Sequence, residues 1–192
     1  MSFLNSFKSG KNPPEDINVV IEIPMGSNIK YELDFANGFL YVDRILSVEM
    51  IYPFNYGFIP RTLENSESSG LTKDNLDVFV IGFDAIYPRS VINCIPLGVI
   101  LSEDQDGIDS KIIAKPLSKE KEIISGFEPI FNDLEKGINS QLFKKLIHFV
   151  EHHKDLEKNK FVRIRDIGDK DKAKFIISEG IKNYEKLINY DK

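Results

Sequence analysis

The chain contains a single cysteine, Cys94, so no disulfide within it can hold a fold together. None is needed: a domain of 192 residues buries roughly 70% of the surface its unfolded chain exposes. Cys94 itself falls in the apolar run Ser90 to Leu101 and reads as a small buried hydrophobe, not a nucleophile. Excess positive charge is also missing. With a formal net charge of −5 the chain has no broad cationic surface, and a dedicated nucleic-acid binder has nothing to gain from counterion release. No apolar stretch approaches the ~20 residues that span a bilayer, so no membrane partner is expected. The opening segment MSFLNSFKSGKNPPED lacks the apolar core and cleavage pattern of a secretory leader, and a cytoplasmic protein (or the mature form of an imported one) is expected. There is no glycine-rich phosphate loop, since Gly10-Lys11 lacks its leading glycine, and there is no GxSxG or HExxH motif. Internal repeats and low-complexity linkers are absent too, although Glu64 to Lys73 is a polar loop, and residues 1–192 are expected to form one domain.

What the chain does have is short runs of Val, Ile, Tyr and Phe punctuated by Gly, Pro, Asn and Asp. They cover Asn18 to Ile23, Lys30 to Leu33, Leu40 to Leu46, Asp77 to Phe83, Ser90 to Leu101 and Ser110 to Lys115, and they read as strands. Asp106-Gly107 between two of these runs reads as a hairpin turn. The last third changes period. Leu142, Leu146, Phe149 and Val150 recur at helical spacing behind Ser140 as N-cap, and Phe175, Ile176, Ile177, Ile181, Tyr184 and Ile188 mark a second helix. Strands followed by helices, without regular alternation, predict an α+β fold, mainly β: a small closed barrel with helices packed on it.

The chemistry on offer is acidic. Asp74 and Asp77 stand three apart at the start of a strand, and Asp104, Asp106 and Asp109 crowd the hairpin. Carboxylates converging from separate strands suit Mg²⁺, a hard cation that takes oxygen ligands, although acidic loops are more often merely solvated. Alternation along a strand puts Asp109 and Lys111 on one face, and Lys30 with Glu32 on another, with Tyr31 and Leu33 opposite. Arg44 has the planar fork for bidentate phosphate recognition or for a structural ion pair. Tyr52 and Tyr56, in IYPFNYGF, have hydroxyls to offer a phosphate, but aromatics beside proline are also common in cores.

The segments PEDINVVIEIP, IKYELD, VDRILS, YPFNYGFIP, DNLDVFV, DQDGIDSKIIAKP and HFVEHHKDLEKNKFV, taken in order from about Pro14 to Val162, resemble the soluble family I inorganic pyrophosphatases of the short bacterial kind. The resemblance implies an OB-like five-stranded barrel with packed C-terminal helices. It also implies hydrolysis of pyrophosphate with several Mg²⁺ per site. Matched residue by residue, it implies metal ligands at Glu22, Asp77, Asp104 and Asp109, with Asp77 bridging. Asp74 matches the carboxylate beside the attacking water. Lys30, Arg44, Tyr56, Lys111 and Lys154 match phosphate-holding groups, and Glu32 and Tyr52 match outer supports. His148 and His152, four apart on one helix face, match histidines at a subunit interface within a homohexamer.

Two positions depart from the pattern. Thr72 stands where the family carries a metal-ligand aspartate, followed by Lys73 and preceded by the long loop ENSESSGL, from which Glu64 or Glu67 is available as a replacement. His153 stands where the family carries a phosphate-binding tyrosine, and it is expected to donate a hydrogen bond, with charge at lower pH. The rival readings are a degenerate pyrophosphatase that binds phosphates or a partner with weak or no turnover, and an OB-type oligonucleotide-binding module, which the acidic clusters oppose.

Overall fold

The computed structural model describes residues 7–66, 70–71, 74–82, 84–117 and 141–190. The expectations for Glu67, Thr72, Lys73, Phe83 and the Ser140 cap lie outside the described residues.

Five strands close on themselves. β1 (Ile17–Ile23) pairs antiparallel with β4 (Asn55–Phe58), and β4 pairs antiparallel with β7 (Asp77–Val80). β7 runs parallel to β9 (Gly107–Pro116), which pairs antiparallel with β8 (Val91–Asp104). β8 then returns to β1 through Ile17↔Cys94 and Val20↔Val91, which closes the ring. At 14 residues, β8 is long enough to serve two neighbours. Its first part pairs with β1 and its last part with β10 (Val162–Gly168), and its register against β9 shifts between Pro96 and Gly98. Two ribbons stand outside the ring: β2 (Ile29–Leu33) with β3 (Leu40–Ile45), and the short pair β5 (Asn65–Ser66) with β6 (Gly70–Leu71).

β1 is apolar at five of its positions, INVVIEI, and all five are buried, as expected of a strand covered on both faces. Its approach to β4 is close. A Cβ on Gly57 would lie 1.9 Å from the Val20 carbonyl oxygen, so only glycine fits there.

Alternation along β7 and β9 sorts the barrel wall into two faces. Val78, Val80, Ile112 and Ala114 pack with Ile17, Val19 and Ile21, and against Ala173 and Ile177 of α2 (Lys170–Tyr190). Phe79 and Ile113 pack on the other side with Tyr52 and Tyr56, under Phe143, Leu146, Phe149 and Val150 of α1 (Gln141–His152). Each fully buried Val, Leu, Ile or Phe side chain contributes about 1.5–3 kcal/mol. The same alternation carries Asp77 onto Phe79's face, and Asp109 and Lys111 onto Ile113's. The ring has aromatics at one end of this face and charges at the other.

The α+β class and the closed five-stranded barrel agree with the sequence reading. Four of the described strands are not among the runs read from the sequence: the short pair β5 and β6 in the segment read as a polar loop, and two longer ones, β4 and β10. β4 lies within YPFNYGF and is buried at all four positions, and β10 reads VRIRDIG, a charged sequence. The hairpin turn is centred on Gln105 and Asp106, and Gly107, at φ +125°, opens the returning strand.

Candidate active site

Among the described residues, every side chain named above for catalysis, substrate binding, metal binding or outer support lines one cavity of about 520 Å³ at the charged end of this face. Three devices aim them there. The first is alternation: Lys111 and Asp109, two apart on β9, both face the cavity, and the Lys111 Nζ lies 2.7 Å from Asp109 and 3.1 Å from Asp77. The second is the hairpin turn, where Asp104 Oδ1 accepts the Asp106 N–H at 2.8 Å while its Oδ2 meets Lys154 at 2.7 Å. The third is a pair of β-bulges. Ile21 pairs with Gly57 and Ile23 with Tyr56, which leaves Glu22 as the extra residue of β1. Lys30 pairs with Arg44 and Tyr31 with Val42, which leaves Asp43 as the extra residue of β3. A bulge re-aims the side chain it carries. The simple alternation expected of β2 does not hold, since Tyr31 and Leu33 line the cavity together with Lys30 and Glu32.

Aromatic packing supports the floor. The Tyr56 ring lies 4.7 Å from Phe79 and 5.5 Å from Tyr52, and Tyr52 lies 4.8 Å from Phe149. The Tyr56 hydroxyl donates to the Asp77 carboxylate and takes a hydrogen bond from Lys111 at 3.0 Å. Burial, and then the charge on Asp77, push the Tyr56 hydroxyl well above its ordinary pKa, so it is a donor at working pH. Burial also raises Asp77, against the pull of Lys111. Asp109 goes the other way: its burial is outweighed by the Lys111 charge and hydrogen bond, and it is held low. One ammonium is thus shared unequally by two carboxylates. Burial works against charge on Lys111 and Lys30 too, but the carboxylates beside each outweigh it and keep both cationic.

Glu22 is held differently. Its Oε1 accepts the Leu33 N–H at 2.8 Å, yet burial dominates and pushes its pKa to about 8. Arg44 meets Asp43 at 2.6 Å and, as charges only, Glu157 at 2.8 Å, and Lys160 reaches the other Glu157 oxygen at 3.3 Å. Asp74 is exposed on the wall, with its backbone oxygen bonded to the Glu64 N–H at 3.0 Å.

His153 is buried and stacks on Phe149. Its Nδ1 lies 3.1 Å from the Phe149 carbonyl oxygen and 3.0 Å from that of Val150. Carbonyls only accept, so Nδ1 carries the proton and Nε2 is left as an acceptor. Burial, followed by the charges of Lys111 and Lys154, depresses the ring to about 4. Near neutral pH the ring is therefore neutral and its remaining nitrogen accepts; the donor with charge expected at lower pH forms only as pH falls to about 4.

Sequence reasoning passed over Asp43, Asn75 and Lys160, which line the same cavity, and Glu157 behind it; Glu64, named as one of two replacement carboxylates, lines it too. Asp43 was legible only as the neighbour of Arg44. Among the described residues no three His, Cys, Asp or Glu side chains converge as a ready metal clamp, because Lys111 and Lys154 occupy the carboxylates.

The comparisons with known proteins agree on one family. The family model described as inorganic pyrophosphatase matches residues 19–185. The inorganic pyrophosphatase of Aquifex pyrophilus is 43% identical over 179 residues, covering 92% of this chain and 94% of that one. That of Rickettsia prowazekii is 44% identical over 182 residues, covering 93% and 98%. Among solved structures, the inorganic pyrophosphatase from Helicobacter pylori superposes with a TM-score of 0.80 at 36% identity, covering 94% of this chain and 99% of that one.

Proposed function

The chain belongs to the inorganic pyrophosphatase family and hydrolyses inorganic pyrophosphate to two orthophosphates, and we propose that it does so with several Mg²⁺ ions and a water activated inside this cavity. The observation that carries the metal reading is the juxtaposition of carboxylates and ammonium groups on one wall, with the Lys111 ammonium 3.1 Å from Asp77 and 2.7 Å from Asp109. The donors are all oxygens, the set a hard divalent cation prefers, and Mg²⁺ keeps several waters and needs only one or two carboxylates per ion. Glu22, Asp77, Asp104 and Asp109 would hold it. When bound, Mg²⁺ neutralises phosphate charge and lowers the pKa of water.

The side chains divide the remaining work by charge. Lys30, Arg44, Lys111 and Lys154 hold phosphate oxygens and take up charge that develops on the leaving phosphate. Tyr56 donates its hydroxyl, and Tyr52 keeps the Tyr56 ring in place. His153 accepts through Nε2 from a protonated phosphate oxygen or a water. Glu32 orients Lys30, to which it is bonded at 2.5 Å. Asp74, exposed on the wall, takes the proton of the attacking water, a contribution of roughly 10²–10⁴-fold. No covalent intermediate is part of this reading.

The proposal extends to a single-domain cytoplasmic protein that assembles as a homohexamer. Among the described residues no helix is long and apolar enough to cross a membrane. His148 is exposed and its ring lies 4.6 Å from that of His152, which supports a subunit contact on this face of α1. The test of substrate class compares pyrophosphate with an alkyl phosphomonoester in Mg²⁺. Pyrophosphate should be turned over and the monoester hardly at all, because the monoester lacks the second phosphoryl group that the cations grip. Equal rates would overturn the reading.

A further inference from the structure

The resemblance that runs through this chain expects a metal-ligand aspartate at position 72, where the sequence has threonine. A carboxylate from elsewhere in the fold reaches the same cavity. Glu64 is 9% exposed and lines the cavity together with Asp74, Asp77 and Asp109. It lines that cavity with Asp77 and Lys111, which are register partners on β7 and β9, and after burial the Ser110 hydroxyl and the charges of Asp109, Asp77 and Lys111 act on its carboxyl.

Its place is fixed by backbone bonds on both sides. Thr62 ties the segment down: its hydroxyl donates to the Ile59 carbonyl at 2.7 Å and accepts the Leu76 N–H at 3.0 Å. Its own carbonyl accepts from the Asn75 amide at 2.7 Å. The Leu63 N–H donates to the Gly180 carbonyl of α2 at 2.9 Å. A Cβ at position 180 would lie 2.6 Å from the Leu76 side chain, which would have to shift. The Glu64 N–H then donates to the Asp74 carbonyl at 3.0 Å, and the β5–β6 ribbon begins at the next residue. The long loop therefore grows from a rigid stem, and Glu64 belongs to the stem.

We propose that Glu64 is a divalent-cation ligand of this site, acting with Asp77 and Asp109 in place of the carboxylate that Thr72 lacks. The proposal rests on the metal-dependent reading above. Lys111 already offsets the charges of Asp77 and Asp109, so a third carboxylate in the same corner calls for a further cation. The stem also gives it the fixed position that a ligand needs.

Mn²⁺ serves as the probe, its free concentration read from its paramagnetic resonance signal at pH 8 with metal-stripped protein and no substrate. Four proteins are compared: the parent, Glu64→Gln, Ser110→Ala and Asp77→Ala, each checked for folding by circular dichroism. Glu64→Gln should weaken Mn²⁺ binding by about 10-fold or more, with Ser110→Ala close to the parent. If Glu64→Gln binds like the parent while Asp77→Ala loses the ion, Glu64 is no ligand and the metal reading survives without it. If Ser110→Ala and Glu64→Gln lose affinity equally, the pair only shapes the stem and the proposal is overturned. A parent that takes up no Mn²⁺ would overturn the metal reading, and this inference with it.

Discussion

Asp77 and Lys111 are register partners in the parallel pairing of β7 and β9, and the Lys111 ammonium lies 3.1 Å from the Asp77 carboxylate and 2.7 Å from Asp109. The cation that is to grip phosphate therefore first competes with metal for the carboxylates beneath it. Lys111→Gln should bind Mn²⁺ more tightly without substrate, several-fold at pH 8, while KM for pyrophosphate rises. Weaker metal binding in this variant would show that the ammonium organises the carboxylates instead of competing for them.

Protons should be released as metal binds. Burial raises both Glu22 and Glu64 to about 8, so both are mostly protonated at pH 7 in the metal-free protein. A cation must displace those protons. Calorimetry in two buffers of different ionisation enthalpy should find net proton release at pH 7 and much less at pH 9. The linkage also sets the stability trend. A folded pKa above the unfolded carboxylate value gives stability that is complete below about pH 4.3 and is lost as pH rises through 8. These two residues should lower the melting temperature in EDTA between pH 5 and pH 8.5, and Mg²⁺ should reduce that loss. Metal uptake at pH 7 without proton release would contradict the burial of these groups.

Asp74→Asn separates the base from the metal set. The side chain is exposed, and the backbone carbonyl that holds Glu64 is unchanged by the substitution. Turnover should fall roughly 10²-fold or more while Mn²⁺ affinity stays near that of the parent. A variant as fast as the parent across the pH range would remove Asp74 as the base.

Gly57→Ala tests the barrel closure. The added methyl would sit 1.9 Å from the Val20 carbonyl oxygen, so β1 and β4 must separate. Forced overpacking of this kind costs about 1–3 kcal/mol, and the melting temperature should fall by several degrees. An unchanged melting temperature would mean that the two strands can part without loss.

The barrel was legible where side chains obey one simple rule. The Val and Ile runs of β1 and β8 read as strands because covered strands must be apolar, and Asp109 and Lys111 shared a face because they are two apart. β4 was hidden because NYGF is buried at every position and shows no alternation, and its aromatics and glycine look like core and turn. Glu22 was named through family likeness, but its aim into the cavity comes from a bulge, which depends on the partner strand and leaves no local mark. Asp43 was illegible as a cavity residue for the same reason, since a bulge turns it; Glu64 was named only as an alternative to Glu67, because the stem closed by α2 and the Asp74 carbonyl that sets it leaves no local mark. His153 lines the cavity, and which ring nitrogen faces it was not readable from the sequence, because its tautomer is set by two helix carbonyls.

The most direct test is phosphate release from pyrophosphate by metal-stripped protein as Mg²⁺ is titrated in. The account predicts no release above background in excess EDTA, and a rate that climbs with Mg²⁺ and saturates. Asp77→Ala should stay at background throughout. Phosphate release in excess EDTA at the rate seen in saturating Mg²⁺ would contradict it.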